Sequence, residues 1–413
     1  MSAAGIRRIV LRLSAAAVFA AGGCLAVASA LVPNGLHLSA PTAGNIHAIA
    51  VFGTDDRRDM PPSHQTLAGK IGVLTDLSSR SQCTAFCLSE SVIATAAHCL
   101  FRTHDEVRPE LRNFRFKMHG RQASSAVRIA GTEPGAAMPH VMTGSMSLHV
   151  RPPIEATRDW ALARLDAPVC STGGLPISRK TSEDLTKATS AQPVYQAGYH
   201  RDYPGERLAF GTPCAVSRSF GNANWTTITT DFENAGNLIL HTCDTGGASS
   251  GSPLLVDGPN GPEVVGINVG TYVLSRVLSV NGAVTHRYQS ENVANTGVSA
   301  VMFADAFKTF ERAELLTARA QMRELQSLLT GIGVFSGARN GLYGAPTRTA
   351  IEIFERIEGR PQTGLATIEL LQTLRAAQVA KALPPASPAP APVETGSVQG
   401  LGLTSSAQKK NAP

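Results

Sequence analysis

Three short segments, far apart along the chain, constrain its fold more than any other feature. They are Thr95-Ala-Ala-His-Cys99, Arg158-Asp-Trp-Ala-Leu-Ala-Arg-Leu165 and His241-Thr-Cys-Asp-Thr-Gly-Gly-Ala-Ser-Ser-Gly-Ser-Pro253. They supply a base, a carboxylate and a hydroxyl in the order His98, Asp159, Ser250. For these side chains to act together, the fold has to bring three separate loops to one point. Serine is a poor nucleophile at its free pKa and needs a base at hydrogen-bond distance. His98 can take the serine proton and later return it to a leaving group. Asp159 would hold the other imidazole nitrogen, fixing the tautomer and stabilising the imidazolium.

Each assignment has local competitors. The chain holds 11 histidines, and a lone histidine is ordinarily structural. His98 stands out because it follows the β-type run Val92-Ile-Ala-Thr95 and precedes Cys99. A disulfide from Cys99 to Cys83 would pin its loop and add about 2–4 kcal/mol of stability. Cys87 competes for Cys99. Asp159 precedes an alternating segment that reads as a strand. Glu155 and Asp166 are the fallback acids, and a surface pairing with Arg158 or Arg164 is the bland alternative. Ser249 and Ser252 compete with Ser250, but only Ser250 precedes Gly-Ser-Pro and lies two residues after the Gly246-Gly247-Ala248 turn. The N–H groups of Ala248 and Ser250 would then form an oxyanion hole, each donor worth roughly 3 kcal/mol in such a reaction.

A length of 413 residues exceeds one ordinary core and predicts two domains with accessory segments. Charged residues make up 16%, below the usual share of about 25%, which suits a β-rich exported protein. The net charge is +6, of which Arg7, Arg8 and Arg12 contribute three without neighbouring acids. The remainder is too weak a bias for nucleic-acid binding. Residues 1–30 read as a secretory signal: arginines, the apolar run Leu13 to Ala30, and Ala28-Ser-Ala30 as cleavage site. Arg7-Arg8 faintly resembles a twin-arginine signal and Gly23-Cys24 a lipoprotein site. Membrane attachment is expected only if this signal is retained. The chain has 7 cysteines. Beyond Cys24 stand Cys83, Cys87, Cys99, Cys170, Cys214 and Cys243, an even set that fits disulfides in an oxidising compartment. No zinc-type spacing occurs among them, so neither metal nor cofactor is expected.

From Lys70 to about Asn268, short β-type runs alternate with turn residues, which predicts an all-β barrel or sandwich. The runs include Ile71–Leu74, Val92–Thr95, Phe114–Lys117, Thr226–Thr230, Asn237–Leu240 and Val264–Ile267. A helix over Val301–Phe310 closes this domain. Beyond Ala313 the apolar residues Met322, Leu325, Leu328, Leu329 and Ile332 recur at helical spacing. Asn340–Gly344 and Gly359–Gly364 are breaks, so three helices form a small domain. The predicted organisation is signal 1–30, arm or propeptide 31–60, β domain 61–312, helical domain 313–380, and a disordered Pro/Ala/Ser-rich tail 381–413.

The order His98, Asp159, Ser250 is the chymotrypsin order, and residues from about Val51 to Phe310 resemble a trypsin-like (chymotrypsin-fold) serine endopeptidase. The bacterial glutamyl-endopeptidase branch is the nearest likeness. Gly53-Thr-Asp-Asp-Arg57, Thr95–Cys99 and Cys243–Pro253 carry it. The resemblance implies an all-β double barrel with the active site between barrels, and peptide-bond hydrolysis of protein or peptide substrates through an acyl-enzyme. It also implies pairing of Cys214 with Cys243, leaving Cys87 and Cys170 for a third bridge, though six cysteines allow 15 connectivities. Two departures stand out. Ala248 occupies a position usually glycine, and Asn268, in Gly266-Ile-Asn-Val-Gly270, stands where glutamyl specificity uses histidine. Asp244 lies near the expected specificity pocket, where it either favours basic substrate side chains or caps a turn.

Residues from about 314 to 376 resemble a peptidoglycan-binding-like three-helix domain, on Arg323–Leu329, Asn340–Gly344, Thr347–Ile351 with Phe354, and Thr363-Gly364. Tyr343 and Arg348 are candidate ligand contacts. The combination implies an exported serine endopeptidase of the periplasm or cell envelope, or outside the cell, with peptidoglycan as a second partner. The rival is a catalytically silent protease-fold protein tethered to peptidoglycan.

Overall fold

The computed structural model describes residues 50–101, 110–149, 152–187, 193–204, 207–220, 224–280 and 283–382. The segments expected to be an export signal (1–30), the arm before Ala50 and the tail beyond Ala382 lie outside the described residues. In chain order the strands are β1 (Arg58–Asp59), β2 (Ile71–Asp76), β3 (Gln82–Cys87), β4 (Val92–Thr95), β5 (Phe114–Met118), β6 (Val141–Thr143), β7 (Ala161–Arg164), β8 (Val194–Tyr199), β9 (Leu208–Cys214), β10 (Leu238–His241), β11 (Pro253–Gly258), β12 (Gly261–Val280) and β13 (Ala283–Ser299). They form two antiparallel sheets, ordered β5-β2-β3-β4-β7-β6 and β1-β9-β8-β11-β12-β13-β10. This is the all-β, two-sheet architecture that the resemblance implies.

The strands follow from their patterning. In β5, Phe114, Phe116 and Met118 point inward while Arg115 and Lys117 are half-exposed, the period-2 alternation of a strand with one wet face. Val92-Ile-Ala-Thr95 is buried along its whole length, as expected of a central strand held between β3 and β7. Leu74, Ile93, Phe114, Phe116 and Ile129 pack together as the core of the first sheet.

One expected strand is a helix. Thr226–Thr230 lies within α3 (Trp225–Asp231), the third helix after α1 (Ala97–Leu100) and α2 (Ser182–Lys187). β-branched residues favour strands only when their side chains find a pleated, half-buried surface. Here only one face has a core to meet. Ile228 and Phe232, four residues apart, are both buried, and Phe232 N–H donates to Ile228 O at 3.1 Å. Trp225 meanwhile lies under the Arg218 guanidinium, 4.7 Å from the ring centroid.

The helical part comprises α4 (Ala304–Arg312), α5 (Arg319–Ile332), α6 (Ala345–Ile357) and α7 (Ile368–Ala382). Met322, Leu325 and Leu329 form the buried stripe of α5, and Gly333, in the left-handed region at φ 90°, closes it. The buried Gln326 amide donates to Leu342 O and to Thr347 Oγ1, and its carbonyl accepts from Gly341 N–H. That side chain fixes the break between α5 and α6. Gly341 has φ 74°, and a Cβ there would come 2.6 Å from Arg319 O, so glycine is required. None of the helices among the described residues is long and apolar enough to cross a membrane.

The helical part is docked on the β domain through one continuous core containing Trp160, Phe303, Phe310, Leu315, Met322 and Phe354. Arg164, in β7, donates to the carbonyls of Phe310, Glu311 and Ala313 and lies over the Phe310 ring. Tyr343 N–H donates to Ala137 O at 2.9 Å, and Arg348 Nη2 donates to Thr143 O at 2.7 Å. On the N-terminal side, Arg58 and Asp59 pair with Phe210 and Ala209 of β9, so the end of the arm belongs to the second sheet.

Candidate active site

His98 sits on the single turn α1, immediately after β4, and Asp159 lies just before β7, the neighbour of β4 in the first sheet. Strand pairing of Thr95 with Ala161 therefore brings the two side chains together. His98 Nδ1 lies 2.7 Å from Asp159 Oδ2, and the His98 backbone N–H donates to Asp159 Oδ1 at 2.9 Å. The carboxylate thus grips both ring and backbone. With Nδ1–H donated to Asp159, the lone pair of the neutral ring sits on Nε2, and the side chain is 28% exposed. Burial alone would push the imidazole down, but the charge of Asp159 and its hydrogen bond outweigh burial, and the net shift is upward from 6.5.

The fallback acids are engaged elsewhere. Glu155 accepts from His149 N–H and Arg158 Nη1, and Asp166 accepts from the backbone and side chain of Arg128.

Ser250 comes from the second sheet, just before β11. Its competitors are sequestered: Ser249 and Ser252 are buried, Ser252 Oγ accepting from Gln196 Nε2 and Ser249 facing the Asn268 amide. Ser250 is only half-buried. Cys99 Sγ, in its disulfide with Cys83, lies 3.8 Å from His98 Nε2 and 3.9 Å from Ser250 O. The imidazole and the serine turn are gathered around one sulfur. Cys83, His98 and Cys99 bring possible metal-donor atoms within 4.8 Å of one another, but both sulfurs are committed to the disulfide. Cys87 pairs with Cys170, and Cys214 with Cys243.

Ala248 adopts φ 79°, in the left-handed region. The Gly247 carbonyl accepts from Arg201 N–H at 2.7 Å, which turns the N–H of the same peptide, that of Ala248, the opposite way. Neither Ala248 N–H nor Ser250 N–H meets a protein acceptor among the described residues. Two unpaired donors at one turn are what an oxyanion requires. Gly251, at φ 85°, lets the chain pass Thr84 and Thr95; a Cβ there would lie 2.2 Å from Thr84 O and from Thr95 Oγ1.

Thr84, in β3, joins the two sheets and is absent from the sequence-derived candidates. Its N–H donates to Ser250 O at 2.9 Å, its hydroxyl donates to Ala248 O at 2.8 Å, and that hydroxyl accepts from Tyr199 N–H at 2.8 Å. A threonine inside a Cys-rich strand carries no local signal for such a role.

The remaining candidates occupy distinct places. Asp244 is buried, with Oδ1 accepting from Phe52 N–H and Oδ2 from Asp56 N–H; burial raises its pKa. It fastens the arm, as a capping aspartate does. Asn268, buried in β12, donates through Nδ2 to Ser249 O, and its side chain faces the buried His241 ring. His241 Nδ1 accepts from Cys243 N–H, so the neutral ring carries its proton on Nε2. Burial pushes this imidazole down to about 3. In the helical part, Tyr343 donates its hydroxyl to Gly364 O, and Arg348 pairs with Glu352 while holding Thr143. Both candidate glycan contacts therefore serve internal and interdomain bonds.

Family models match two stretches of the chain: a trypsin-like peptidase domain over residues 83–267 and a peptidoglycan binding domain over residues 318–374. Among solved structures, a Glu endopeptidase in complex with MPD is 19% identical, with a TM-score of 0.41, covering 63% of this chain and 99% of that one. No curated protein matches the chain. The first match spans β3 to β12, with the loops that carry His98, Asp159 and Ser250, and the second spans α5 to α7: this chain joins a trypsin-like peptidase domain to a peptidoglycan-binding domain.

Proposed function

We propose that the chain is an exported serine endopeptidase, held near the cell wall by its helical domain, that hydrolyses peptide bonds through Ser250, His98 and Asp159. The observation that carries this reading is the junction of the His98–Asp159 pair with a serine turn bearing two unpaired N–H groups. Ser250 Oγ attacks the substrate carbonyl and its proton passes to His98 Nε2. Asp159 holds Nδ1–H and stabilises the imidazolium. The oxyanion of the tetrahedral intermediate takes the N–H groups of Ala248 and Ser250. Collapse returns the His98 proton to the departing amine and leaves an acyl-enzyme, which water, deprotonated by the same imidazole, hydrolyses. The disulfides and the peptidoglycan-binding match support action in the periplasm, the cell envelope or beyond.

A fluorophosphonate probe tests the chemistry: the mature protein is labelled and Ser250→Ala is not. Absence of labelling, or labelling that persists in Ser250→Ala, refutes the proposal. A peptidoglycan pull-down of the whole protein tests the second half, with retention in the pellet as the expected result.

A further inference from the structure

Beneath the Ala248–Ser250 turn lies a charged network that the proposed chemistry leaves unused. Arg57 belongs to the arm, and its side chain is only 3% exposed. It donates through Nη2 to Asp202 Oδ2 at 2.6 Å and to Asp55 Oδ2 at 2.7 Å, and through Nε to Asp55 Oδ1 at 2.9 Å. Its Nη1 is buried without a partner among the described residues. Asp202 and Arg57 are pressed against the turn. A Cβ at Gly246 would lie 1.8 Å from Asp202 Oδ1 and 2.8 Å from Arg57 Nη1.

The same segment is gripped on both sides. Ala50 and Thr245 exchange two backbone hydrogen bonds, at 3.1 and 3.0 Å, and Asp244 accepts the N–H groups of Phe52 and Asp56 at 2.8 and 3.0 Å. Arg201, adjacent to Asp202, holds the Gly247 carbonyl. Asp244 and Thr245 are thereby bonded to the arm and Gly247 to Arg201, with Gly246 packed against Asp202 and Arg57. The next residue, Ala248, carries a side chain in the left-handed region, which disfavours that conformation by roughly tenfold relative to relaxed alternatives. Such a conformation persists only where its surroundings over-determine it.

We infer that Arg57 is a positioning residue: through Asp202 it holds the Gly246–Gly247 peptides so that the N–H groups of Ala248 and Ser250 face the oxyanion. The arm from Ala50 to Asp59 is then a lasting part of the working enzyme, and any N-terminal processing falls before Ala50. This inference rests on the reading of Ser250 as the nucleophile.

The test is the rate of fluorophosphonate labelling against probe concentration, in the full chain. The reaction forms a Ser250 Oγ–P bond, passes the serine proton to His98, expels fluoride and places the phosphonyl oxygen at the oxyanion position. Arg57→Ala is expected to lower the limiting rate by about tenfold to a hundredfold, with the half-saturating probe concentration little changed. Glycine takes the left-handed conformation without help. Ala248→Gly should therefore recover most of the loss in the Arg57→Ala background, measured against Ala248→Gly alone. Asp202→Asn, which leaves Arg57 its Asp55 partner, should show the same rescuable loss and carries the test if Arg57→Ala does not fold. Wild-type labelling rates in both Arg57→Ala and Asp202→Asn overturn the inference. So does a loss that Ala248→Gly leaves unrepaired in a folded protein. A wild-type protein that takes no label fails the nucleophile reading itself, and the inference falls with it.

Discussion

Thr84→Val isolates the link between the two sheets and the serine turn. Valine keeps the shape of threonine and removes only the hydroxyl. That hydroxyl donates to Ala248 O and accepts from Tyr199 N–H, each at 2.8 Å, at a residue with no exposed surface. The variant leaves one buried carbonyl and one buried N–H unpaired. Each costs about 1–3 kcal/mol, so the loss is about 2–6 kcal/mol. For a chain of this size that lowers the thermal midpoint by roughly 2–7 °C. The Ala248 carbonyl belongs to the peptide joining Ala248 to Ser249, inside the proposed oxyanion turn, so fluorophosphonate labelling should fall about tenfold in protein that is still folded. Thr84→Ser retains the hydroxyl and should keep labelling near wild type, with a smaller stability loss from the missing methyl, about 1 kcal/mol. Urea or thermal melts paired with labelling kinetics read both effects. A Thr84→Val protein within about 0.5 kcal/mol of wild type and labelled at the wild-type rate would refute this account of how the sheets hold the turn.

The Asp159 carboxylate raises the His98 pKa above 6.5 against burial, and catalysis needs the neutral imidazole, so peptidase activity should rise with pH through a midpoint above 6.5. In Asp159→Asn burial acts without the compensating charge; the midpoint should fall below 6.5, and the rate by about 10³–10⁴. An unmoved midpoint removes Asp159 from that role. His200 and His241 are pushed down by burial to about 4 and about 3, whereas in the unfolded chain they titrate near 6.5. The unfolded chain then binds protons that the native state refuses, so their contribution is complete above 6.5 and is lost progressively as pH falls toward 4. Each should contribute a slope of up to about 1.4 kcal/mol per pH unit, read from urea midpoints; a flat dependence there contradicts their burial as neutral rings. Arg164→Met removes the guanidinium bonds to the carbonyls of Phe310, Glu311 and Ala313, at a cost of about 2 kcal/mol. Limited proteolysis should then cut faster between Phe310 and Leu315, and unchanged cutting would show that the continuous core alone holds the helical part.

Local signals carried a large part of this protein. Strand alternation at Phe114–Met118, helical spacing at Met322–Leu329 and the breaks at Gly341 and Gly364 are short-range properties, because a residue's neighbours within one turn or one pleat decide which face it shows. The motifs around His98 and Ser250 were legible for the same reason: each needs only its own few flanking residues to form the loop. Tertiary structure decided what depends on partners far away in sequence. Thr226–Thr230 became helical because Ile228 and Phe232 had one core face to fill, against the β preference of their neighbours. Asp244 went to the arm since two backbone N–H groups, from Phe52 and Asp56, were there to be satisfied. Thr84 meets Ala248, and Arg57 meets Asp202, across separations that leave no periodicity in either segment. The residues named by sequence are those that would react; the ones found only in three dimensions hold them in place, since holding is a relation between distant segments that neither segment encodes alone.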